Sequence, residues 1–337
     1  LVSSGQAVDA VLLTTTPDTH SEIGVAALEA GMHLLVEKPI ALTVRQGQAL
    51  AEAADRTGRV LAVAENYRRD PINRLAKAVI DAGLLGRVYL AVQSSSGSGR
   101  RVIITPWRHR KQSGGIVVDM GIHYADILEY LLGPIERVVG MNAIVDRQRA
   151  DDAGALHGTD AEDLSIGIAR FRSGAIANWM IDLAGSGEPH FTRVLYGTRG
   201  TLGIPHDRSG RPLRLTLARN GQGEAVPPEE VLSLLPDFSL DATTAALFGG
   251  NRLAAYDMDF PDIDANLLAI EQADFADAIR TSGRPEVDGW FGLRSLAIAY
   301  GFLESERMGR MLDVDRLVTG ADSPYQDEIM AALAEAP

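Results

Sequence analysis

Cysteine is absent from the 337 residues, which excludes disulfides, thiolate metal sites and a cysteine nucleophile. No apolar run reaches the roughly 18 residues that span a bilayer. The start Leu1-Val2-Ser3-Ser4-Gly5 lacks the charged and apolar regions of a secretory signal. A cytoplasmic location with no membrane partner is therefore expected. Basic residues are in the minority, 32 Lys and Arg against 45 Asp and Glu, and the formal charge of -13 favours solubility and repels polyanions. No nucleic-acid partner is expected. Several catalytic spacings are missing too. There is no G-x-S-x-G for a hydrolase nucleophile, and His109, His157, His190 and His206 show no H-E-x-x-H or comparable pairing. Asp146, Asp151, Asp152, Asp160, Glu162 and Asp163 form an acidic stretch without calcium-loop spacing, which reads as a solvated loop, so no metal is expected.

What is present is a globular composition, 46% hydrophobic and 23% charged, in a chain long enough for two domains. The first part alternates strand and helix patterns. Apolar runs at residues 8–16, 34–36 and 60–65 are separated by helical patterns at 23–30 and 43–56, with Thr43 as cap and Gly31 and Gly58 as closures. Such alternation argues for a parallel sheet covered by helices. Asp70-Pro71 then starts a helix that ends near Gly83 or Gly86, and a strand follows over 87–94. Residues 94–101, rich in Ser and Gly, read as a flexible loop near a cleft. After Gly133-Pro134 the period changes to that of strands, at 137–145, 164–171, 175–183, 194–196 and 213–217, which predicts a mostly antiparallel sheet. Residues 221–264 read as an ordered insertion with little periodicity, and helices at 267–280 and 291–307 close the chain.

Chemistry concentrates in two segments. Glu37-Lys38-Pro39 follows the strand-like run His33-Leu34-Leu35-Val36. Some eighty positions later comes Gly114-Gly115-Ile116-Val117-Val118-Asp119-Met120-Gly121-Ile122-His123. Asp119 and His123 are four apart, hence on one helical face, and with a lysine at a strand terminus they supply the parts of a proton-transfer centre. His123 would be the base, Asp119 would orient one of its ring nitrogens, and Lys38 would hold the substrate oxygen. The alternative is an ordinary surface pair with a solvated lysine. Gly114, Gly115 and Gly121 suit close backbone approach or simply mark a loop. Tyr300 reads as a core tyrosine within reach of the cleft.

These two segments, in this order, resemble the catalytic signatures of the Gfo/Idh/MocA family of NAD(P)-dependent oxidoreductases, and the resemblance runs over essentially the whole chain. It implies an α/β fold: an incomplete Rossmann-like parallel-sheet domain over residues 1–68, then an α+β domain with a mostly antiparallel open sheet over 69–337 for substrate binding and oligomerisation. It implies NAD or NADP as cofactor, a sugar, inositol, glycoside or polyol as substrate, and a homo-oligomer. Lys38, Asp119 and His123 become the catalytic and substrate-binding residues. Thr16-Pro17-Asp18-Thr19-His20 is similar to the family's T-P-N-x-x-H turn, which makes Thr16, Pro17 and His20 cofactor contacts, with a helix-capping turn as the alternative. Glu37 and Lys38 join them. From Asn66-Tyr67-Arg68-Arg69-Asp70-Pro71, similar to N-R-R-x-D-P, only Asn66 is carried over, the arginines being equally a solvated basic pair. Trp107 and Arg108 of Pro106-Trp107-Arg108 would line the nicotinamide cleft unless Trp107 is core. No G-x-G-x-x-G follows an opening strand, so an N-terminally truncated sequence is expected. An NAD-dependent glycosidase, a non-catalytic nucleotide or sugar sensor and a defective fragment remain as rivals.

Overall fold

The computed structural model describes residues 8–335, so the opening Leu1-Val2-Ser3-Ser4-Gly5 lies outside the described residues. Three parallel strands come first, in the order β1-β2-β3: β1 (Ala10–Leu13), α1 (Pro17–Glu29), β2 (His33–Glu37), α2 (Val44–Thr57) and β3 (Leu61–Ala64). Helix α1 begins earlier than its apolar pattern suggests because Pro17, with its fixed φ and missing N–H, suits the first turn. Thr43 and Gln46 close a reciprocal capping box on α2, and Gly58 ends it in the left-handed region at φ 65°.

The remaining elements are α3 (Pro71–Asp81), β4 (Val88–Ser96), α4 (Ile116–Leu132), β5 (Ile135–Ala143), β6 (Gln148–Ala150), β7 (Leu156–Gly158), β8 (Leu164–Phe171), β9 (Ile176–Asp182), β10 (His190–Gly197), β11 (Gly200–Ile204), β12 (Arg214–Arg219), β13 (Gln222–Val226), α5 (Pro228–Val231), α6 (Ala242–Phe248), α7 (Phe260–Thr281), α8 (Gly289–Met308), β14 (Leu312–Asp313), α9 (Val314–Val318) and α10 (Pro324–Ala334). Nine of the strands form one sheet in the order β13-β12-β11-β10-β4-β9-β8-β5-β14. Every neighbouring pair is antiparallel except β4 and β9. Helices α4 and α8 cover one face, where Trp179 stacks on Phe302 at 4.3 Å and Gly121 passes so close that a Cβ there would lie 2.9 Å from the Trp179 ring. The other face exposes Met141, Ile166, Ile168 and Ile176.

Residues of the parallel sheet alternate between two cores. Leu34, Val36, Leu61 and Val63 join the main cluster with α1, α2 and α8, whereas Leu35, Ala62 and Ala64 pack on Phe275 of α7. The free side of β3 is covered by the α7–α8 connection, Val63 N–H donating to Val287 O at 2.9 Å. Two local expectations are corrected. The Ser/Gly stretch is strand as far as Ser96, and Gly97 and Gly99 donate to Asp182 O and Gly185 O. The insertion is ordered and holds β13, α5 and α6, but the helix expected from 267 starts earlier, α7 opening at Phe260 because Asp259 and a proline in the first turn begin a helix there.

Candidate active site

The carboxyl ends of β2 and β3 carry two charged residues side by side. Glu37 ends β2 opposite Ala64, the last residue of β3, so Lys38 and Glu65 are the next residue on each strand. Helix α4 lies across these ends. Gly114 and Gly115 start it abruptly, both at positive φ (93° and 81°), and a Cβ on Gly115 would lie 2.9 Å from Ala161, so the turn requires glycine. Adjacent strands are about 4.8 Å apart and one helical turn rises about 5.4 Å, so residues one turn apart on α4 match the two strand ends. Lys38 meets Asp119, with Nζ donating to Oδ1 at 2.8 Å and to the main-chain O at 3.1 Å. His123, one turn on, meets Glu65, with Nδ1 at 2.7 and 2.9 Å from the two carboxylate oxygens.

Asp119 also takes Arg108, whose Nη1 lies 2.6 Å from Oδ2, and the guanidinium rests over the Trp107 ring at 4.9 Å. Burial works to raise the Asp119 carboxyl, but Lys38 and Arg108 outweigh it and hold the group below its ordinary range. The role given to Asp119 above is thereby corrected. It pairs with the two cations, and Glu65 is the residue on the His123 ring. Glu65 is buried, which alone would push its carboxyl up; the charge and hydrogen bond of His123, the Tyr67 N–H and Lys38 bring it below the usual value. Tyr67 lies flat on the imidazole, centroids 4.1 Å apart and planes within 9°. Neither Glu65 nor Tyr67 was singled out in the sequence. The available signal was position, since Glu65 stands one residue beyond a buried strand as Lys38 does.

The other expected cofactor contacts divide. Pro17, Trp107, Arg108 and Asp119 line one crevice with Pro39 and Gly115, and Trp107 is half-buried rather than core. Thr16 is exposed just beyond β1. His20 is not open to a ligand: it is fully buried, its ring nitrogens 2.9 Å from Pro39 O and 3.0 Å from Thr15 O, so it fastens the turn after β1 to the turn after β2. Glu37 shares the face of Leu35 and turns toward α7. Asn66 follows Glu65, and its Oδ1 is buried without a hydrogen-bond partner among the described residues. The orphaned acceptor suits a carboxamide donor, and separately the half-buried ring of Trp107 beside Pro17 suits a flat ring, so the residues present have the chemistry a nicotinamide group calls for. Arg68 and Arg69 are not a solvated pair. Both are buried, Arg68 bidentate on Asp126 at 2.6–3.1 Å and stacked over Phe291 at 4.2 Å, and Arg69 on Asp274 at 2.9 Å. Tyr300 is also buried, with its hydroxyl donating to Leu42 O at 2.7 Å.

A third carboxyl lies behind the pair. Glu271, on α7 one turn before Phe275, is 3% exposed, and burial pushes its carboxyl well above the ordinary value, with Glu37 and Glu65 adding to the effect. A folded-state value raised above the unfolded one costs stability as pH rises from about the ordinary carboxylate range through the folded value. Glu271→Gln removes that cost. Its melting temperature relative to the parent is expected to rise by about 2–4 °C between pH 4 and pH 8. Thermal melts at both pH values check this, and an equal difference at both would show that Glu271 is ionised in the folded protein.

The chain matches two models of one family: residues 1–65 fit an oxidoreductase-family NAD-binding Rossmann fold, and residues 73–203 fit a GFO/IDH/MocA C-terminal domain. It is 26% identical over 316 residues to the 1,5-anhydro-D-fructose reductase of Ensifer adhaerens, covering 91% of this chain and 80% of that protein. It is 34% identical over 170 residues to the scyllo-inositol 2-dehydrogenase (NAD(+)) of Bacillus subtilis (strain 168), covering 50% and 46% of the two chains. Among solved structures, a levoglucosan dehydrogenase in complex with NADH and L-sorbose superposes with a TM-score of 0.73 at 23% identity, covering 93% of this chain and 81% of that one.

Proposed function

The chain belongs to the Gfo/Idh/MocA family of NAD(P)-dependent oxidoreductases, and from that premise we propose that it moves a hydride between NAD(P) and a secondary hydroxyl of a sugar, inositol or related polyol. The observation that carries the reading is the pairing of Lys38 with Asp119 and of His123 with Glu65 at adjacent strand ends. An ammonium has three N–H donors, and Asp119 accepts two of those on Lys38, which leaves one for the oxygen of the reacting hydroxyl. His123 has Nδ1 committed to Glu65, so Nε2 is the atom that takes the hydroxyl proton during oxidation and returns it during reduction. Asp119 pairs with both Lys38 and Arg108 and so anchors the ammonium at the first turn of α4.

Thr16, Pro17, Asn66, Trp107 and Arg108 would hold the nicotinamide end of the cofactor. When bound, the cofactor supplies the hydride acceptor or donor, and the protein supplies proton transfer and charge stabilisation. A purely sensory role would need none of the paired geometry around Lys38 and His123, which favours the enzyme reading over a non-catalytic regulator. The test is a panel of neutral hexoses, inositols and 1,5-anhydrosugars incubated with NAD or NADP while reduced-nicotinamide absorbance is followed. At least one secondary hydroxyl should be oxidised, or its ketone reduced. Binding of sugar and dinucleotide with no turnover on any of them would turn the reading to a sensor.

A further inference from the structure

We propose that Glu65 is the positioning carboxylate of His123: it holds the proton of the neutral ring on Nδ1 and fixes Nε2 as the atom presented to the substrate. The proposal rests on the reading of His123 as the proton-transfer group. Its own support is geometric. Glu65 is 2% exposed and directly follows β3, a strand buried along its whole length. A buried carboxylate must be paired or hydrogen-bonded. Its side-chain partner among the described residues is the imidazole, which sits across both oxygens at 2.7 and 2.9 Å, and the Tyr67 N–H donates to Oε1 at 3.2 Å. A carboxylate oxygen only accepts, so in the neutral imidazole the nitrogen facing it carries the proton.

The ring is also held in plane. Tyr67 covers one face of it at 4.1 Å and 9°. The tyrosine is itself buried, in a segment anchored by Arg68 on Asp126 and by Asn73, whose amide donates to Tyr67 O at 2.7 Å. Turning the imidazole over would direct Nδ1 away and leave Glu65 buried without its side-chain partner. Both the tautomer and the orientation of the base are thus set by residues of one short stretch, Glu65-Asn66-Tyr67.

In the oxidation direction the balance is simple. The hydroxyl O–H bond would break with its proton passing to Nε2, and the carbinol C–H bond would break with its electron pair leaving as the hydride that a bound oxidised nicotinamide would accept, so that a carbonyl is left. His123 then carries a proton on each nitrogen, and the Glu65 carboxylate faces the new positive charge without accepting a proton itself.

Two variants and one spectrum test this. Glu65→Gln keeps the volume and the acceptor but not the charge, and is expected to lower kcat by about 10²-fold with a smaller change in KM. Glu65→Asp keeps the charge on a shorter arm and should recover part of the loss. Nitrogen-15 NMR of the histidine side chains is expected to place the proton of neutral His123 on Nδ1 in the parent protein. A parent spectrum with the proton on Nε2 would overturn the proposal, and so would normal kcat in Glu65→Gln beside an inactive His123→Ala. If His123→Ala itself turned over normally, the base assignment would fall, and the spectrum would still decide whether Glu65 fixes the ring.

Discussion

Replacing His123 by alanine is expected to lower turnover by about 10²- to 10⁴-fold while cofactor affinity changes little. The size follows from what the side chain does. With Nδ1 on Glu65 and one face under Tyr67, the imidazole keeps only Nε2 without a partner among the described residues, and in the proposed mechanism that nitrogen takes the proton of the hydroxyl that Lys38 would hold. Without it the hydroxyl proton must pass to water. The fold should survive with a lowered melting temperature: Glu65 loses its side-chain partner and keeps the Tyr67 N–H, while α4 stays anchored by Asp126 on Arg68 and by the close approach of Gly121 to Trp179. Steady-state rates, a cofactor titration and a thermal melt on one preparation check all three parts. Near-normal turnover on the best substrate would remove His123 from the mechanism and leave Lys38 as the leading candidate.

Lys38→Met should damage the chemical step more than cofactor binding, with a loss on the order of 10²- to 10³-fold in the single-turnover rate. Methionine fills similar space without a donor, so the substrate oxygen loses the positive group beside it as charge develops. Asp119 keeps Arg108 at 2.6 Å and is not left as an unpaired buried anion, which limits the damage to the fold. Rapid-mixing measurement of hydride transfer, together with the cofactor Kd, separates the possibilities. An unchanged transfer rate with a weakened Kd would make Lys38 a nucleotide-positioning residue instead.

Much of the frame was legible in the sequence because it depends on local rules. Apolar runs of strand length marked β2 and β3, Thr43 and Gly58 marked the ends of α2, and the spacing of Asp119 and His123 placed both on one face of α4. The partners were not legible. Asp119 and His123 pair across 81 and 58 positions, with Lys38 and Glu65, and nothing local says which carboxylate meets which cation. For the same reason Arg68 and Arg69 read as solvated: Asp126 and Asp274 lie 58 and 205 positions away. His20 kept its histidine signal, yet two backbone carbonyls brought in by the turns after β1 and β2 claim both of its nitrogens.

The match between strand spacing and helix pitch also acts as a lock on register. Sliding α4 by one turn in one direction would bring His123 to Lys38 and the aliphatic Ile127 to Glu65, leaving a buried carboxylate against hydrocarbon. Sliding it the other way would bring Asp119 to Glu65, carboxylate against carboxylate, and Gly115 to Lys38. One-turn steps are the natural slips between a helix and the elements it crosses. Here both neighbouring settings are electrostatically wrong, so the correct seating of the helix and the assembly of the proton-transfer centre are the same event.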